Sequence, residues 1–497
     1  MEFNFISFLS ILPFLLFLFL LLWKKVPLLW STLTMFLVIL ILQIFYWQMI
    51  PIYLINSIIK GTLVSLDIFV IILGAIFFLE VLKDIKIIDN VRFFMETFLK
   101  DYRVQVILLA WFLENFIEGT AGFGTPSTIV APLLVSLGTS PLTAVILSLL
   151  GNSTSVAFGA AGTPIRVGFE GLNITGVPHF AALFNLVGFL VPVFMLMFIT
   201  SQQNDRKRSF WEALPFAIWS GIAFVVPSLL IVPLGQEFPS IIGSLVGLGL
   251  VLITIRLKIF IPKQIRTLQD TNAPEVKLPF YKIVLPYFLL ILLLIVGKFS
   301  LGQIKINFPW GLIYNLNLFN PGLAFLFAGL PVSLFWGRKK LTTNSLKIAF
   351  RRGLEPFIVI ALMSVAAQLI INSGFNLSGK LSLLSMIAKG FEVSFLPFLA
   401  PFVGAFGSFL TGSATVSNIM FGNFLNTASH VMNFDTAKIL ALGLVGAAAG
   451  NMIALADIIT AEAVVGLHNK TRFVLKAVII PCLIYLIIVG FIGLLVI

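Results

Sequence analysis

The sequence has very few of the residues that build disulfide frameworks or metal centres. Its 497 residues include one cysteine, Cys482, and three histidines, His179, His430 and His468. A single cysteine cannot pair within the chain or form a cysteine metal cluster. The glycine-rich run at 122–126 lacks the lysine of a phosphate-binding loop, and neither an HExxH motif nor a nucleophile elbow is present. The sequence therefore predicts no metal, no cofactor and no enzymatic activity.

Charge is also scarce, and apolar residues dominate. Charged residues make up 10% of the chain and hydrophobic residues 59%, with a mean hydropathy of +1.09, far outside the range of soluble domains. Backbone groups inside lipid must be satisfied by a helix or by a closed barrel. Unbroken apolar runs such as 3–23 and 284–296 lack the alternating pattern of barrel strands. We therefore predict an all-α, polytopic transmembrane protein with about 12–14 spans.

The formal net charge of +12 follows the distribution expected of a membrane protein. Of the 32 lysines and arginines, 25 fall in six clusters between apolar segments. This positive-inside bias places the clusters in the cytoplasm and the N-terminus outside. Attraction to anionic lipid headgroups accounts for the excess charge without a nucleic acid partner.

The apolar segments give a provisional order of spans. A helix needs about 20 apolar residues to cross a bilayer. On this criterion the spans fall at 4–23, 28–50, 62–82, 104–117, 141–162, 178–200, 211–233, 238–258, 282–299, 312–336, 355–373, 437–466 and 473–496. Two other apolar stretches, 118–138 and 395–426, contain too much glycine, proline, threonine and serine for plain spans. We interpret them as broken helices or re-entrant hairpins.

The chain further divides into two halves with a similar order of broken segments. The divisions are N-terminal spans 1–60, a first half 61–255, a cytoplasmic loop 256–282 and a second half 283–497. Each half has one broken segment followed by another, namely 118–138 with 151–165, and 395–426 with 443–457. This pattern is typical of transporters built from two inverted-type repeats, in which interrupted helices line the substrate site.

The first broken segment carries two acids beside a break. Three glycines and a proline in the nine residues 118–126 cannot sustain a helix, and the freed N–H groups of a new helix start suit a carboxylate. Glu114 and Glu118 lie four residues apart, hence on one helix face. Acids inside a membrane are costly, which favours a functional role. The alternative for Glu114 is an ion pair with Arg103.

The other three broken segments are rich in hydroxyl and amide side chains. Small residues at 152–165 line a cavity or simply allow close helix packing. The segments 407–418 and 446–457 supply the few convergent polar groups that a small polar ligand needs. Arg166 binds a carboxylate or extends to the membrane interface. Asp457 and Glu462 carry a coupling proton or hold a helix end.

From these segments we predict two sets of functional residues. The substrate-binding candidates are Gly122, Gly124, Thr125, Ser127, Asn152, Ser153, Thr154, Thr163, Arg166, Thr411, Ser413, Thr415, Ser417, Asn418 and Asn451. The proton-coupling candidates are Glu118, Glu114 and Asp457.

The broken segments together resemble the lactate permease family. The first signature covers 118–126 (Glu-Gly-Thr-Ala-Gly-Phe-Gly-Thr-Pro), 131–138, 156–160 and 162–165, and the second covers 410–421, 446–453 and 463–467. The order and spacing hold over roughly residues 60–490. The resemblance implies proton-coupled uptake of L-lactate, D-lactate or glycolate across a bacterial-type cytoplasmic membrane.

The chain departs from this family at two places. Where the family has Gly-Ser-Asp-Thr-Ser-Ser-Asn, this chain has Ala414 and Val416, and where the family has Gly-Lys-Met-Ile-Ser-Pro-Gln, it has Asn451 followed by Ala-Leu-Ala at 454–456. A lone buried charge is expensive, so an acid and a base missing together suggest an ion pair lost as a unit.

From the broken segments and the family resemblance together, we predict a proton-coupled transporter of small monocarboxylates. The alternatives are a sodium-coupled carrier of another organic anion, a passive channel and a membrane-embedded enzyme.

Overall fold

The computed structural model describes residues 5–20, 26–87, 90, 101–120, 122, 124–201, 205–266, 278–308, 313–336, 339–383, 395–467 and 470–497. Much of the predicted cytoplasmic loop, at 267–277, and His468 lie outside these residues. The first helices in chain order are α1 (Phe5–Leu18), α2 (Leu28–Ile41), α3 (Pro51–Asp84), α4 (Tyr102–Ile107), α5 (Glu114–Thr120), α6 (Thr125–Ser136), α7 (Pro141–Gly151), α8 (Gly159–Arg166), α9 (Val177–Phe184) and α10 (Val191–Thr200). The remaining helices are α11 (Arg206–Ile231), α12 (Pro239–Arg256), α13 (Phe280–Ser300), α14 (Pro321–Trp336), α15 (Lys339–Ile371), α16 (Leu396–Thr411), α17 (Ala414–Val431), α18 (Thr436–Gly450), α19 (Leu455–Val464) and α20 (Thr471–Val496).

The prediction of an all-α membrane fold with broken helices is confirmed. Among the described residues, eight helices are long and apolar enough to cross a membrane, and the pair Pro141–Gly151 and Thr154–Arg166, bent by 41°, is a ninth candidate. Shorter apolar helices accompany them. The larger count of 12–14 spans stays a prediction.

One predicted span is wrong over its first residues. The segment 312–336 was expected to be a single helix, but Ile313–Asn317 forms strand β2, paired antiparallel with β1 (Gln303–Asn307). Polar residues alternate with apolar ones throughout β1 and from Tyr314 onward in β2, a pattern typical of strands and not of a membrane-spanning helix. The helix of this segment, α14, begins at Pro321, a position where the missing N–H costs nothing.

Contacts divide the chain into two units, and each unit combines segments from both halves of the sequence. The first unit comprises Met1–Ile85, Val284–Leu396 and Ile419–Thr436. Its centre is α3, which packs along α14 and α15. Glycine permits this close approach, because a Cβ at Gly74 would lie 2.1 Å from the carbonyl oxygen of Gly322. Arg352 of α15 also donates a 2.8 Å hydrogen bond to Glu80 of α3.

The second unit comprises Lys86–Ile283, Pro397–Asn418 and Ala437–Ile497. Within it, α11 packs on α12, α6 packs on α7 and α19, and α20 packs on α7. All four predicted broken segments, or the parts of them next to the break, belong to this unit. The second unit therefore contains the residues singled out from the sequence.

Candidate functional site

The first break lies between α5 and α6, and glycine makes it possible. Gly122 has φ +56° and Gly124 has φ +71°, in the left-handed region that other residues adopt only with strain. Gly124 is the N-cap residue of α6, and no side chain caps this helix start. The residue that precedes α6 therefore has no side chain with which to cap this helix start.

The second break follows α7 and continues into a strained turn. After Gly151 the chain passes through Asn152 into the 3-10 turn Thr154–Phe158. Residues 160–162 then have φ values of 41°, 51° and 77°. The first two of these are alanines, for which a left-handed conformation costs about 1–2 kcal/mol each. Strain of this kind persists where the surroundings impose it, and it concentrates at functional sites.

Glu118 lies between these two breaks. A Cβ built on Gly159 would lie 2.2 Å from Glu118 Oε1, and one built on Gly122 would lie 3.4 Å from the same oxygen. Glu118 is 2% exposed, and among the described residues its Oε2 has no hydrogen-bond partner. Glycine at position 159 therefore makes the space that the Glu118 carboxyl group occupies.

Glu114 lies one turn before Glu118 and is fully buried. Its Oε1 accepts a 3.1 Å hydrogen bond from Ser127 Oγ of α6, while its Oε2 has no partner within the described part of the chain. The alternative prediction of an ion pair with Arg103 is wrong. Arg103 instead pairs with Asp101 at 2.7 Å, because the two residues lie two positions apart at the start of α4, where Asp101 is the N-cap.

Asp457 lies at the point where two helix starts come together. A Cβ on Gly124 would lie 2.6 Å from Asp457 Oδ1, and a Cβ on Gly412 would lie 3.8 Å from it. Gly412, with φ +70°, separates α16 from α17. Asp457 is 6% exposed, and its Oδ2 has no hydrogen-bond partner in the described ranges.

The three acids form a cluster that lacks a basic partner. Glu114 interacts electrostatically with Glu118 and Asp457, and Glu118 interacts with Asp457. Among the residues that the structure describes, none of the three takes part in an ion pair. No group of three or more His, Cys, Asp or Glu in these residues could hold a metal ion. We refer to Glu114, Glu118 and Asp457 as the acid cluster.

Several predicted hydroxyl groups bond to nearby main-chain carbonyls. The donors are Ser153 to Leu150, Thr163 to Ala160, Thr411 to Gly407 and Ser417 to Gly404. Ser413 Oγ accepts from the Val416 N–H at 3.3 Å and so caps α17. These hydroxyl groups hold the shape of the breaks around the acid cluster.

The amide side chains have a different placement. Asn418 donates a 2.9 Å hydrogen bond to the carbonyl of Pro164, which joins the start of α17 to α8. Asn152 is fully buried and Asn451 is 3% exposed. Both side-chain atoms of Asn152, and Oδ1 of Asn451, have no hydrogen-bond partner among the described residues. These amides are available for a polar ligand.

The remaining predicted residues are placed as follows. Thr415 is buried, and Arg166, partly exposed, ends α8 and has an interaction partner. Thr125 is the first residue of α6, and its side chain lies outside the described set. Glu462 accepts a 2.8 Å hydrogen bond from Thr471 Oγ1 at the start of α20, in accord with the alternative that it holds a helix end.

The structure also contains a polar link that the sequence reasoning missed. Tyr485 of α20 donates a 2.8 Å hydrogen bond to Asn185, and Asn185 donates a 2.7 Å hydrogen bond to the carbonyl of Thr154. All three residues are buried. Asn185 interrupts an otherwise apolar run, and that isolated amide was the available signal.

Glycines after the third break serve helix packing. A Cβ on Gly446 would lie 1.9 Å from the carbonyl oxygen of Pro401, and one on Gly450 would lie 2.5 Å from that of Ala405. Helices α16 and α18 therefore touch backbone to backbone, as small residues permit in membranes. Close packing of the two helices therefore accounts for the presence of these glycines.

The fold and the site define a multi-pass helical membrane protein with broken helices around buried polar groups, the architecture of a membrane transporter. The family profile described as L-lactate permease matches residues 6–318 and 301–497. The chain belongs to the L-lactate permease family.

Individual relatives agree with this assignment. The L-lactate permease of Salmonella typhimurium is 29% identical over 464 residues, covering 83% of this chain and 82% of the relative. The glycolate permease of Escherichia coli is 28% identical over 487 residues, covering 86% and 83%. Among solved structures, the YdaH transporter of Alcanivorax borkumensis matches with a TM-score of 0.44 and 11% identity, covering 85% of this chain and 83% of that one.

Proposed function

We propose that this protein is a secondary active transporter that moves small monocarboxylates, such as lactate and glycolate, across the cytoplasmic membrane together with protons. The observation that carries the proposal is the match of the L-lactate permease family to nearly the whole chain. The relatives named for L-lactate and for glycolate support the substrate class. Both substrates are small 2-hydroxy acids with one carboxylate.

The substrate carboxylate binds at the start of α6. Helix N-termini carry partial positive charge and orphan N–H groups, which suit a carboxylate. We expect the 2-hydroxyl group to bond to the amide of Asn152, whose two polar atoms have no hydrogen-bond partner among the described residues. A small molecule with one anionic end and one hydroxyl needs only such a few convergent groups.

The proton is bound by Glu118 in the acid cluster. A carboxylate charge buried without a positive partner is expensive, and the acid cluster has no such partner among the described residues. A proton on Glu118 removes that cost when an anionic substrate enters beside it. Glu114 is a second proton site, because it is fully buried beside Glu118 and Asp457 and has no positive partner among the described residues.

The test is transport in proteoliposomes. Purified protein should catalyse counterflow of labelled L-lactate and glycolate, and an inward proton gradient should drive their accumulation. Absence of counterflow under every condition would contradict the substrate assignment. Accumulation that follows a sodium gradient and ignores pH would contradict proton coupling and favour a sodium-coupled carrier.

A matched pair of variants tests the role of Glu118. Glu118→Gln should reduce gradient-driven accumulation to the background of empty liposomes while exchange of lactate continues, because the glutamine cannot release a proton. Glu462→Gln removes an acid that is bonded to Thr471 at the start of α20 and should accumulate lactate normally. Normal accumulation by Glu118→Gln would remove Glu118 from the proton path.

A further inference from the structure

The carboxyl group of Asp457 occupies an unusual position for an acid on a membrane helix. It lies beside Gly124, the N-cap residue of α6, and beside Gly412, which precedes the start of α17. These two helices have 12 and 18 residues, long enough for each to carry the partial positive charge of a helix N-terminus. Asp457 therefore has the place and the charge of an anion bound between two helix starts.

The second observation concerns how poorly Asp457 is bonded there. The side chain is 94% buried, since its exposed fraction is 6%, and its Oδ2 has no hydrogen-bond partner among the described residues. A buried carboxylate oxygen without a donor costs free energy. An acid that only capped these helices would be expected to use both oxygens. The Asp457 carboxyl group is instead held like a bound ligand that can dissociate from its site.

The ionisable groups near Asp457 favour protonation of its carboxyl group over an ion pair. Helix α19 packs on α6, α7, α20 and the turn Asn451–Ile453. Neither α6, α7 nor that turn contains an ionisable side chain. Glu114 and Glu118 on α5 interact with Asp457 electrostatically, and both would repel its charge. The charged residues of α20 are Arg472 and Lys476.

We infer that Asp457 is an internal competitor of the substrate, whose carboxyl group holds the substrate's carboxylate position between the starts of α6 and α17 until substrate replaces it. This inference rests on the proposed function. Two carboxylates cannot share the position, because their like charges repel at short range in a medium of low dielectric constant. Substrate entry therefore requires Asp457 to take up a proton, which removes its charge as the substrate carboxylate takes its place.

The consequence is a measurable link between proton uptake and substrate binding. Binding of lactate to the wild-type protein takes up one proton at Asp457 in addition to any taken up elsewhere. Each such proton changes the dissociation constant of lactate by about tenfold per pH unit. Asp457→Asn, which keeps the shape and loses the charge, should lower the slope of log Kd against pH by one over the pH range in which Asp457 of the free wild-type protein is ionised.

The experiment is equilibrium binding of labelled L-lactate to purified protein in detergent between pH 5 and pH 8. At pH 8 we expect Asp457→Asn to bind lactate at least tenfold more tightly than wild type. Asp457→Ser, which vacates more space, should show the same loss of slope. Glu462→Gln, a change of charge on the same helix, should keep the wild-type slope.

The outcomes separate this inference from the proposed function. Wild-type protein that binds neither lactate nor glycolate at any pH contradicts the proposed function. Wild-type binding with an unchanged slope in both Asp457 variants contradicts the inference and leaves the function standing. Weaker binding by both variants, with normal thermal denaturation, would make Asp457 a direct substrate ligand and would equally overturn the inference.

Discussion

Gly159 offers the sharpest test of the acid cluster, because replacing it by alanine should act on one carboxyl group alone. The backbone at Gly159 has φ −64° and ψ 159°, which alanine adopts without strain. Its Cβ would lie 2.2 Å from Glu118 Oε1, whereas ordinary contact begins at 3.4 Å. The carboxyl group must therefore retreat by about 1.2 Å, which is 3.4 minus 2.2.

The crowding at position 159 indicates how much stability and transport activity Gly159→Ala should lose. Forcing an extra methyl group into a packed interior costs about 1–3 kcal/mol, so Gly159→Ala should lower the free energy of unfolding by about that amount. A displacement of about 1 Å in a reacting group reduces a rate by up to about a hundredfold. Gradient-driven lactate uptake should fall by one to two orders of magnitude.

A double-mutant cycle shows whether Glu118 causes the loss. Glu118→Ala leaves space for the new methyl group, so adding Gly159→Ala in that background should cost little. The measurement is denaturant unfolding in detergent. Gly249→Ala is the control, because a Cβ there meets nothing within 4 Å. If Gly159→Ala costs the same with and without Glu118, the placement of the carboxyl group against Gly159 is wrong.

Two further predictions concern ion pairs at the starts of α4 and α11. Arg103 is fully buried and bonded to Asp101 and Ser209, so Arg103→Ala should cost about 3–5 kcal/mol of unfolding free energy by leaving Asp101 buried without its partner; a loss below 1 kcal/mol would contradict this. The hydrogen bond from Arg266 holds the pKa of the exposed Asp205 carboxyl below its usual range. The stability that this hydrogen bond contributes is present above the unfolded pKa of about 4 and is lost as the pH falls through the lowered value. Melting curves of Arg266→Ala and wild type should therefore differ at neutral pH in low salt and converge in acid. A difference that persists in acid would place the effect of Arg266 elsewhere.

The broken helices could be predicted from the sequence because their cause is local. Glycine and proline interrupt a membrane helix wherever they cluster, and at 118–126 the cluster is dense. Gly122 and Gly124 indeed adopt positive φ values between α5 and α6. The left-handed turn at 160–162 was not predictable in the same way, since Ala160 and Ala161 have no intrinsic preference for that conformation.

The grouping of the acids depended on contacts between residues far apart in the sequence. Spacing alone put Glu114 and Glu118 on one helix face, but no periodicity relates Asp457 to Gly124, more than 300 residues earlier. The resemblance places an acid of the family at position 414, where this chain has alanine. The structure has an acid beside the same break, at Asp457, contributed by another helix. Only the fold could show that Asp457 lies beside this break.

The backbone contact between α16 and α18 has a consequence for how the second unit can move. A Cβ on Gly404 would lie 1.9 Å from the carbonyl oxygen of Gly443, so this contact extends the one at Gly446 and Gly450 along both helices. Two helices in such close contact cannot slide past each other without separating first. If α16 and α18 stay together, the turn Asn451–Ile453, which joins α18 to α19, is a point at which the chain can bend to separate Asp457 from Gly412.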